Sequence, residues 1–190
     1  MISWQTVCGD LSQWVKEALS DQPVRVAHLE GVVRRLKDVP ESLLIRHGFA
    51  GVECAAAAWC HDIGYAAAAH WTGWHPVDGH RWLDSMGAPA VVLDAVLYHG
   101  GAFSQAKLRP DAGRLVPYFE AHPCRFPAMV ELITACDVTT RHDGGPCTLA
   151  ERLEGLVVRY GADDLRVRHF CLERPFYQEA VGRFLGAVAC

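Results

Sequence analysis

The chain lacks the features by which exported, membrane-spanning and nucleic-acid-binding proteins are usually recognised. It carries a formal net charge of −4 over 190 residues and has no run of Lys and Arg, so its composition indicates no nucleic-acid groove. Its first ten residues contain no basic segment typical of a signal peptide. Glu53 interrupts the longest apolar run, which stays below membrane-spanning length. We therefore expect a cytoplasmic protein that binds no membrane and is unlike nucleic-acid-binding proteins.

The cysteines also lack a pattern that would give them a chemical role. There are eight, and no two of them form a CxxC pair. Without an export signal, we interpret them as reduced thiols that mostly pack in the core. Cys60 and Cys136 each precede a candidate ligand described below. Either could bind a metal, but packing is the preferred interpretation.

Strand patterns, internal repeats, a P-loop and a dinucleotide fingerprint are also missing. Apolar residues instead recur at helical spacing between Pro and Gly residues, which predicts an all-α fold with residues 1–190 in a single domain. The predicted helices cover residues 7–18, 23–39 after an Asp21 cap, 49–60, 76–86, 89–99, 127–137, 148–161, a segment capped by Asp163, and a last segment that Pro175 opens and that runs to about Val188.

Residues 102–126 do not show a clear period. They contain Pro110, Pro117 and Pro123 among residues of mixed polarity. We expect a long connection with one short helix, which folds over the site as a lid.

The strongest candidate site is the doublet His61-Asp62. It ends a run of small apolar residues and precedes Gly64, so it lies at the C-terminus of a buried helix. An imidazole and a carboxylate can converge there, and both are ligands for divalent metals. An isolated doublet would more simply be a hydrogen bond at a helix end. However, the predicted helices also carry further imidazoles and carboxylates on buried faces or at their ends: His28, His75, His99 and Asp137.

In chain order, these residues resemble the pattern of the HD-domain superfamily of metal-dependent phosphohydrolases. The resemblance covers roughly residues 20–160 and leaves the helices of 161–190 outside the motif core. It rests on five short segments, which are Val26-Ala-His-Leu-Glu-Gly-Val32, Ala58-Trp-Cys-His-Asp-Ile-Gly-Tyr65, His75-Pro-Val-Asp-Gly79, Leu97-Tyr-His-Gly100 and Ala135-Cys-Asp-Val-Thr-Thr140. It implies a single HD-type helical bundle.

The resemblance also implies a metal site and a reaction. One metal would be held by His28, His61, Asp62 and Asp137, and a second by His75 and His99 with Asp62 as the bridge. Mixed imidazole and carboxylate ligands suit one or two ions of Fe, Mn, Co, Ni or Zn. A metal-bound hydroxide would then attack a small phosphorylated substrate, a phosphomonoester or phosphoanhydride of nucleotide-like character. The alternatives are a di-iron oxygenase with the same six ligands and a metal-binding regulatory module without turnover.

Candidate substrate contacts are less distinctive. Arg141 follows Asp137 by four residues, so it would share that helix face and reach a phosphate if the helix continues. We therefore place it with His61 and Asp62 among the catalytic candidates. Lys107 and Arg109 are alternative contacts for the phosphate. Each of these three residues could equally be an ordinary solvated charge without a role in binding. Several HD hydrolases carry Lys or Arg where this chain has Tyr65, which makes the binding of a nucleotide phosphate less assured.

Two further choices concern the second metal. His80 could replace His75 as a ligand, but Pro76 and Gly79 fit the motif around His75 better. Three tryptophans close by could stack on a substrate ring, although core packing is the preferred interpretation. They are Trp71, Trp74 and Trp82.

Overall fold

The structure is a computed structural model that describes residues 3–186. Over this range the chain is helical, and an isolated bridge between Thr140 and Pro146 is the closest approach to a strand. The all-α prediction is confirmed. The α-helices are α1 (Trp4–Val7), α2 (Leu11–Ala18), α3 (Pro23–Arg35), α4 (Glu41–Arg46), α5 (Gly51–Cys60), α6 (His75–Ser85), α7 (Ala90–Tyr98), α8 (Ala102–Leu108), α9 (Ala112–Ala121), α10 (Pro127–Val138), α11 (Leu149–Tyr160) and α12 (Leu165–Phe184).

Helix α5 lies at the centre of the main core. Its small side chains, including Ala57, Ala58 and Cys60, are fully buried, which lets α3 and α7 pack directly against it. Helix α7 is apolar on nearly every side and is buried over Val91–Leu97. Helices α10 and α12 close the core from the other side. None of the helices described here has the length and apolarity to cross a membrane.

A second, smaller apolar cluster joins α8 and α9 to the start of α6 and the end of α7. The prediction of one short helix in residues 102–126 is therefore wrong, because two helices form. Pro110 lies between them, and Pro117 is tolerated inside α9 while Leu115 and Phe119 on either side of it are buried. Helix α8 faces the site, but its role as a moving lid stays a prediction.

The N-terminal half differs from the prediction in its helix limits. The first predicted helix is divided into α1 and α2 by a 3₁₀ turn at Cys8–Asp10. Gln22, not Asp21, occupies the N-cap position of α3, although Pro23 opens the helix as expected. Helix α4 was not predicted, because its six residues are too few to show a period.

The C-terminal half differs at one helix. The capping box of Thr148 and Glu151 forms as predicted. In contrast, α12 is continuous through Pro175, and Asp164 rather than Asp163 caps it. The lost backbone hydrogen bond at Pro175 is offset because Phe170 and Tyr177, on its two sides, are buried against each other. The predicted extension to about Val188 lies outside the described residues.

Candidate metal centre

The end of α5 places His61 and Asp62 in the interior. Both side chains are buried at the point where α5 gives way to a short 3₁₀ turn, Ile63–Tyr65. Gly64 in this turn packs directly on the first turn of α6. A Cβ at Gly64 would collide with the carbonyl oxygen of His75, so only glycine allows this close approach. The contact brings His75 next to Asp62.

The loop before α6 is held by Asp78. This buried carboxylate accepts hydrogen bonds from the backbone N–H groups of Trp71, Thr72 and Gly73, at 3.3, 2.7 and 2.9 Å. Three backbone donors on one side chain fix the loop against α6. His75 is therefore positioned by the turn that precedes it as well as by Gly64.

The two oxygens of Asp62 face two different pairs of imidazoles. Oδ1 lies 3.1 Å from His75 Nε2 and 3.5 Å from His99 Nε2, and these two nitrogens are 3.3 Å apart. Oδ2 lies 3.6 Å from His61 Nε2 and 3.9 Å from His28 Nε2. Donors bound to one metal at about 2.1 Å are separated by about 3.0–3.4 Å. The spacing around Oδ1 matches that separation, and the spacing around Oδ2 is slightly wider.

The histidines present the nitrogen that a metal requires. In His28, His61 and His99, Nδ1 hydrogen-bonds a backbone carbonyl, which leaves the Nε2 lone pair free to coordinate. The carbonyls belong to Arg141 at 3.0 Å, Ala58 at 2.8 Å and Val96 at 2.9 Å. His28 Nε2 and His61 Nε2 are buried without a hydrogen-bond partner. Since buried polar atoms are nearly always bonded, two such atoms beside a carboxylate fit a cation site.

Asp137 lies at the edge of this group, on the last turn of α10. Its Oδ1 is 3.0 Å from His28 Nε2, within ion-pair distance but without hydrogen-bond geometry. Arg152 Nη2 approaches the same oxygen to 3.4 Å. The two tight triads, whose donor atoms lie within 4.8 Å of one another, are His28–His61–Asp62 and Asp62–His75–His99. The six predicted ligands therefore meet in one place, with Asp137 outside both triads.

The protonation states also suit a metal. Burial alone would raise the pKa of Asp62, but the Arg25 guanidinium and the adjacent imidazoles hold it well below its usual range. Burial would likewise raise the pKa of Asp137, but His28 and Arg152 hold it below its usual range. Burial lowers the pKa of His61 to about 4. The result is ionised carboxylates beside a neutral imidazole, the forms that coordinate metals.

A cation that sequence reasoning missed lies beside Asp62. Arg25 forms an ion pair with Asp62 Oδ2, and its guanidinium lies 4.1 Å from the centroid of the Tyr65 ring. Tyr65 in turn stacks on His75, with centroids 4.3 Å apart. The cation missing at position 65 is thus supplied from α3. Its signal in the sequence is a spacing of three residues from His28, which puts both on one helix face.

Arg141 does not occupy its predicted place. Helix α10 ends at Val138, so Arg141 leaves the face of Asp137. Its guanidinium bonds Asp143 and the carbonyl of Pro146, and the side chain is 47% exposed. It contributes only its backbone carbonyl, to His28. The cation beside Asp137 is instead Arg152, which also donates to the Thr140 carbonyl at 2.7 Å.

The other sequence candidates lie outside the ligand cluster. Lys107 rests on the Phe103 ring, and Arg109 pairs with Asp111 while stacking on Trp74. His80 Nδ1 lies 2.8 Å from the Tyr118 hydroxyl, so it does not compete with His75. Among the tryptophans, Trp82 packs on Trp14, Trp71 contacts Tyr118, and Trp74 lines the cavity above the ligands.

That cavity has a volume of about 630 Å³. Its lining contains the candidate ligands His28, Asp62, His75, His99 and Asp137, together with Gln105 of α8. A basic rim, defined as Arg152, Arg159, Tyr160 and Arg166, surrounds one side. A smaller cavity of about 400 Å³ shares Tyr65, Trp74 and His75 with it. Both cavities therefore reach His75, and the larger one also contacts the other four candidate ligands on its lining.

Comparisons with protein-family models, curated proteins and solved structures found no match for this chain. The geometry of the site is therefore the evidence that bears on its function.

Proposed function

We propose that this chain is a metal-dependent phosphohydrolase of the HD-domain type. The observation that carries the proposal is Asp62, a buried carboxylate with each oxygen turned to a different pair of histidine Nε2 atoms. Such a carboxylate suits a bridge between two cations. The chain also presents the ligands in the order of the family pattern, although no family model supports the assignment.

The residues that would hold the ions are His28, His61, Asp62 and Asp137 for one, and His75, His99 and Asp62 for the other. Divalent transition metals bound there supply Lewis acidity and an activated water. The chain fixes the imidazoles through backbone carbonyls. His61 is fully buried, whereas the other five candidate ligands line the cavity, so the cavity is where a substrate would meet the ions.

Two arginines are placed to receive negative charge. Arg25 contacts Asp62 and Arg152 lies beside Asp137, so both guanidinium groups border the ligand cluster on the cavity side. They would neutralise the oxygens of a phosphoryl group and restrict its orientation. A cavity of about 630 Å³ lies within the range that small organic ligands occupy. These features support a small phosphorylated substrate, including a nucleotide.

The test combines metal analysis with a panel of phosphate esters. Protein purified without chelator should contain about two equivalents of transition metal and release phosphate from phosphomonoesters or nucleotides. Asp62→Asn should lose both properties, while Arg168→Gln, which changes an exposed α12 side chain outside the cavity, should keep them. Metal without any phosphate release in the panel would contradict the hydrolase.

The same preparations separate the two alternatives. A di-iron oxygenase would contain iron, show an electron paramagnetic resonance signal in a mixed-valent state and consume oxygen with a substrate. A regulatory module would bind metal, release no phosphate and consume no oxygen.

A further inference from the structure

The basic rim contains arginines whose charge is not neutralised by the candidate metal ligands. Arg152 of the rim is paired with Asp137, and Arg25, which lines the same cavity outside the rim, is paired with Asp62. Arg159 is different. Among residues 3–186 it has no carboxylate within ion-pair distance, and its Nε donates a hydrogen bond of 3.0 Å to the Gly155 carbonyl. Arg159 is exposed to solvent where it lines the cavity, so its guanidinium is available to an anion that enters from outside the chain.

Arg159 and Arg166 are held together by one aromatic ring. The guanidinium carbon of Arg166 lies 3.7 Å from the Tyr160 ring centroid, and that of Arg159 lies 5.4 Å from it. Tyr160 is the last residue of α11, and Arg166 belongs to the first turn of α12. The ring therefore sets two cations side by side across the junction of these helices.

The face of α11 connects this pair to the metal ligands. Arg152, Leu156 and Arg159 are spaced by four and three residues and all line the cavity. Arg152 reaches the candidate ligand Asp137, whereas Arg159 lies about two helical turns farther along α11. Burial and the neighbouring charges of Arg152, Arg25 and Arg166 lower the pKa of Arg159, as expected for cations gathered around one space. Asp164 offsets part of the charge by pairing with Arg166 at 2.9 Å.

We infer that Arg159 and Arg166 form a second anion subsite, so that the substrate carries a phosphoryl group at the metal ligands and another anionic group at the rim. This inference rests on the proposed function for the first group only. A monoester with one phosphate would leave the rim unused. The substrate class is therefore small organic bisphosphates or phosphorylated acids, with Arg159 and Arg166 as specificity-determining residues. Asp21 is the other carboxylate on the lining besides the candidate ligands, and within residues 3–186 it forms no ion pair with either arginine.

The test compares ligands that differ only in the second anionic group. Hexane-1,6-diol bisphosphate and butane-1,4-diol bisphosphate are titrated into the metal-loaded chain beside hexyl phosphate and butyl phosphate, with calorimetry for Kd and phosphate release for kcat and KM. At least one bisphosphate should bind about tenfold more tightly than its monophosphate. Arg159→Gln should remove this preference through Kd and KM, with kcat and the monophosphate affinity unchanged. Arg159→Lys should restore part of it.

Arg168→Gln is the matched control, because it removes the same charge from an exposed position of α12 outside the cavity. The inference is overturned if no bisphosphate binds more tightly than its monophosphate, if Arg159→Gln weakens both ligands equally, or if Arg168→Gln has the same effect. Failure of the hydrolase proposal is separate. In that case no phosphate is released, and the calorimetric comparison still decides whether the subsite exists.

Discussion

Two clusters of histidines lie in the described part of this protein, and they differ in what their rings face. At the metal centre, four imidazoles present Nε2 around the carboxylate of Asp62. In the second cluster, His80 contacts the hydroxyl of Tyr118 at 2.8 Å and packs edge-on against His122, whose Nδ1 bonds a backbone carbonyl. That cluster has no carboxylate at ligand distance among the described residues. Both clusters therefore contain a buried histidine, and the shared carboxylate of Asp62 distinguishes the candidate site.

The most direct test of this difference is to remove the carboxylate of Asp62. Asp62→Asn keeps the shape but removes the charge common to both triads, and it leaves Arg25 without its partner. We expect bound metal to fall below about 0.1 equivalent and activity to fall about 1,000-fold or more. Elemental analysis and phosphate release measure both. The matched variant His80→Asn should retain full metal content, and equal metal loss in the two would contradict the distinction.

A second test asks whether the two halves of the metal centre are separate. His75→Ala and His99→Ala each remove a ligand that faces Asp62 Oδ1 and leave the Oδ2 side intact. We expect metal content to fall from about two equivalents to about one, with activity reduced about 100-fold. His122→Ala provides the control from the other cluster. If wild type and both variants bind one equivalent with equal affinity, the second metal site does not exist.

A smaller effect is expected from the cation beside Asp137. Arg152 approaches this carboxylate to 3.4 Å and also donates to the Thr140 carbonyl, so it orients a ligand without being one. Arg152→Gln should weaken metal binding or activity by about tenfold, in the range typical of groups that support ligands. Metal titration followed by activity assays measures this. Arg125, on the second cluster's side, gives the control Arg125→Gln; an equal loss there would indicate a general charge effect.

The six candidate ligands could be identified in the sequence because each lies at a helix end or on a buried helix face. A run of small residues leads to His61, Pro76 opens α6 behind His75, and two glycines follow His99. These signals are local, so sequence alone reveals them. Their convergence on Asp62 was inferred from the family resemblance, and the structure places them together.

The arginines of the site were not predicted, because the one available signal, the spacing of three residues between Arg25 and His28, does not show which carboxylate the arginine meets. Arg25 and Arg152 gain their roles from carboxylates 37 and 15 residues away in the chain. The prediction for Arg141 required α10 to continue past Val138. The helix ends there, and the Arg141 guanidinium instead donates to the Pro146 carbonyl. The continuity of α12 at Pro175 likewise depends on tertiary packing, which overrides the local preference of proline. Contacts of this kind are available only from the fold.

The smallest expected effect concerns the second cluster and pH. Burial lowers the pKa of His80 to about 4, with His122 and Arg125 acting in the same direction and Asp84 opposing them. In the unfolded chain His80 titrates near pH 6.5, so between pH 6.5 and 4 the unfolded state binds the extra proton. This His80 contribution makes folding stability fall as the pH is lowered through that window, by at most about 3 kcal/mol.

His80→Asn removes the titration while leaving an amide to face Tyr118. Chemical denaturation of metal-free protein at several pH values should therefore show a shallower loss in the variant than in wild type. All other titratable groups are the same in both proteins, so their contributions cancel in the difference. If the two stability curves are parallel, His80 is not held neutral in the folded protein. The contrast between the two histidine clusters would then be smaller than their geometry indicates.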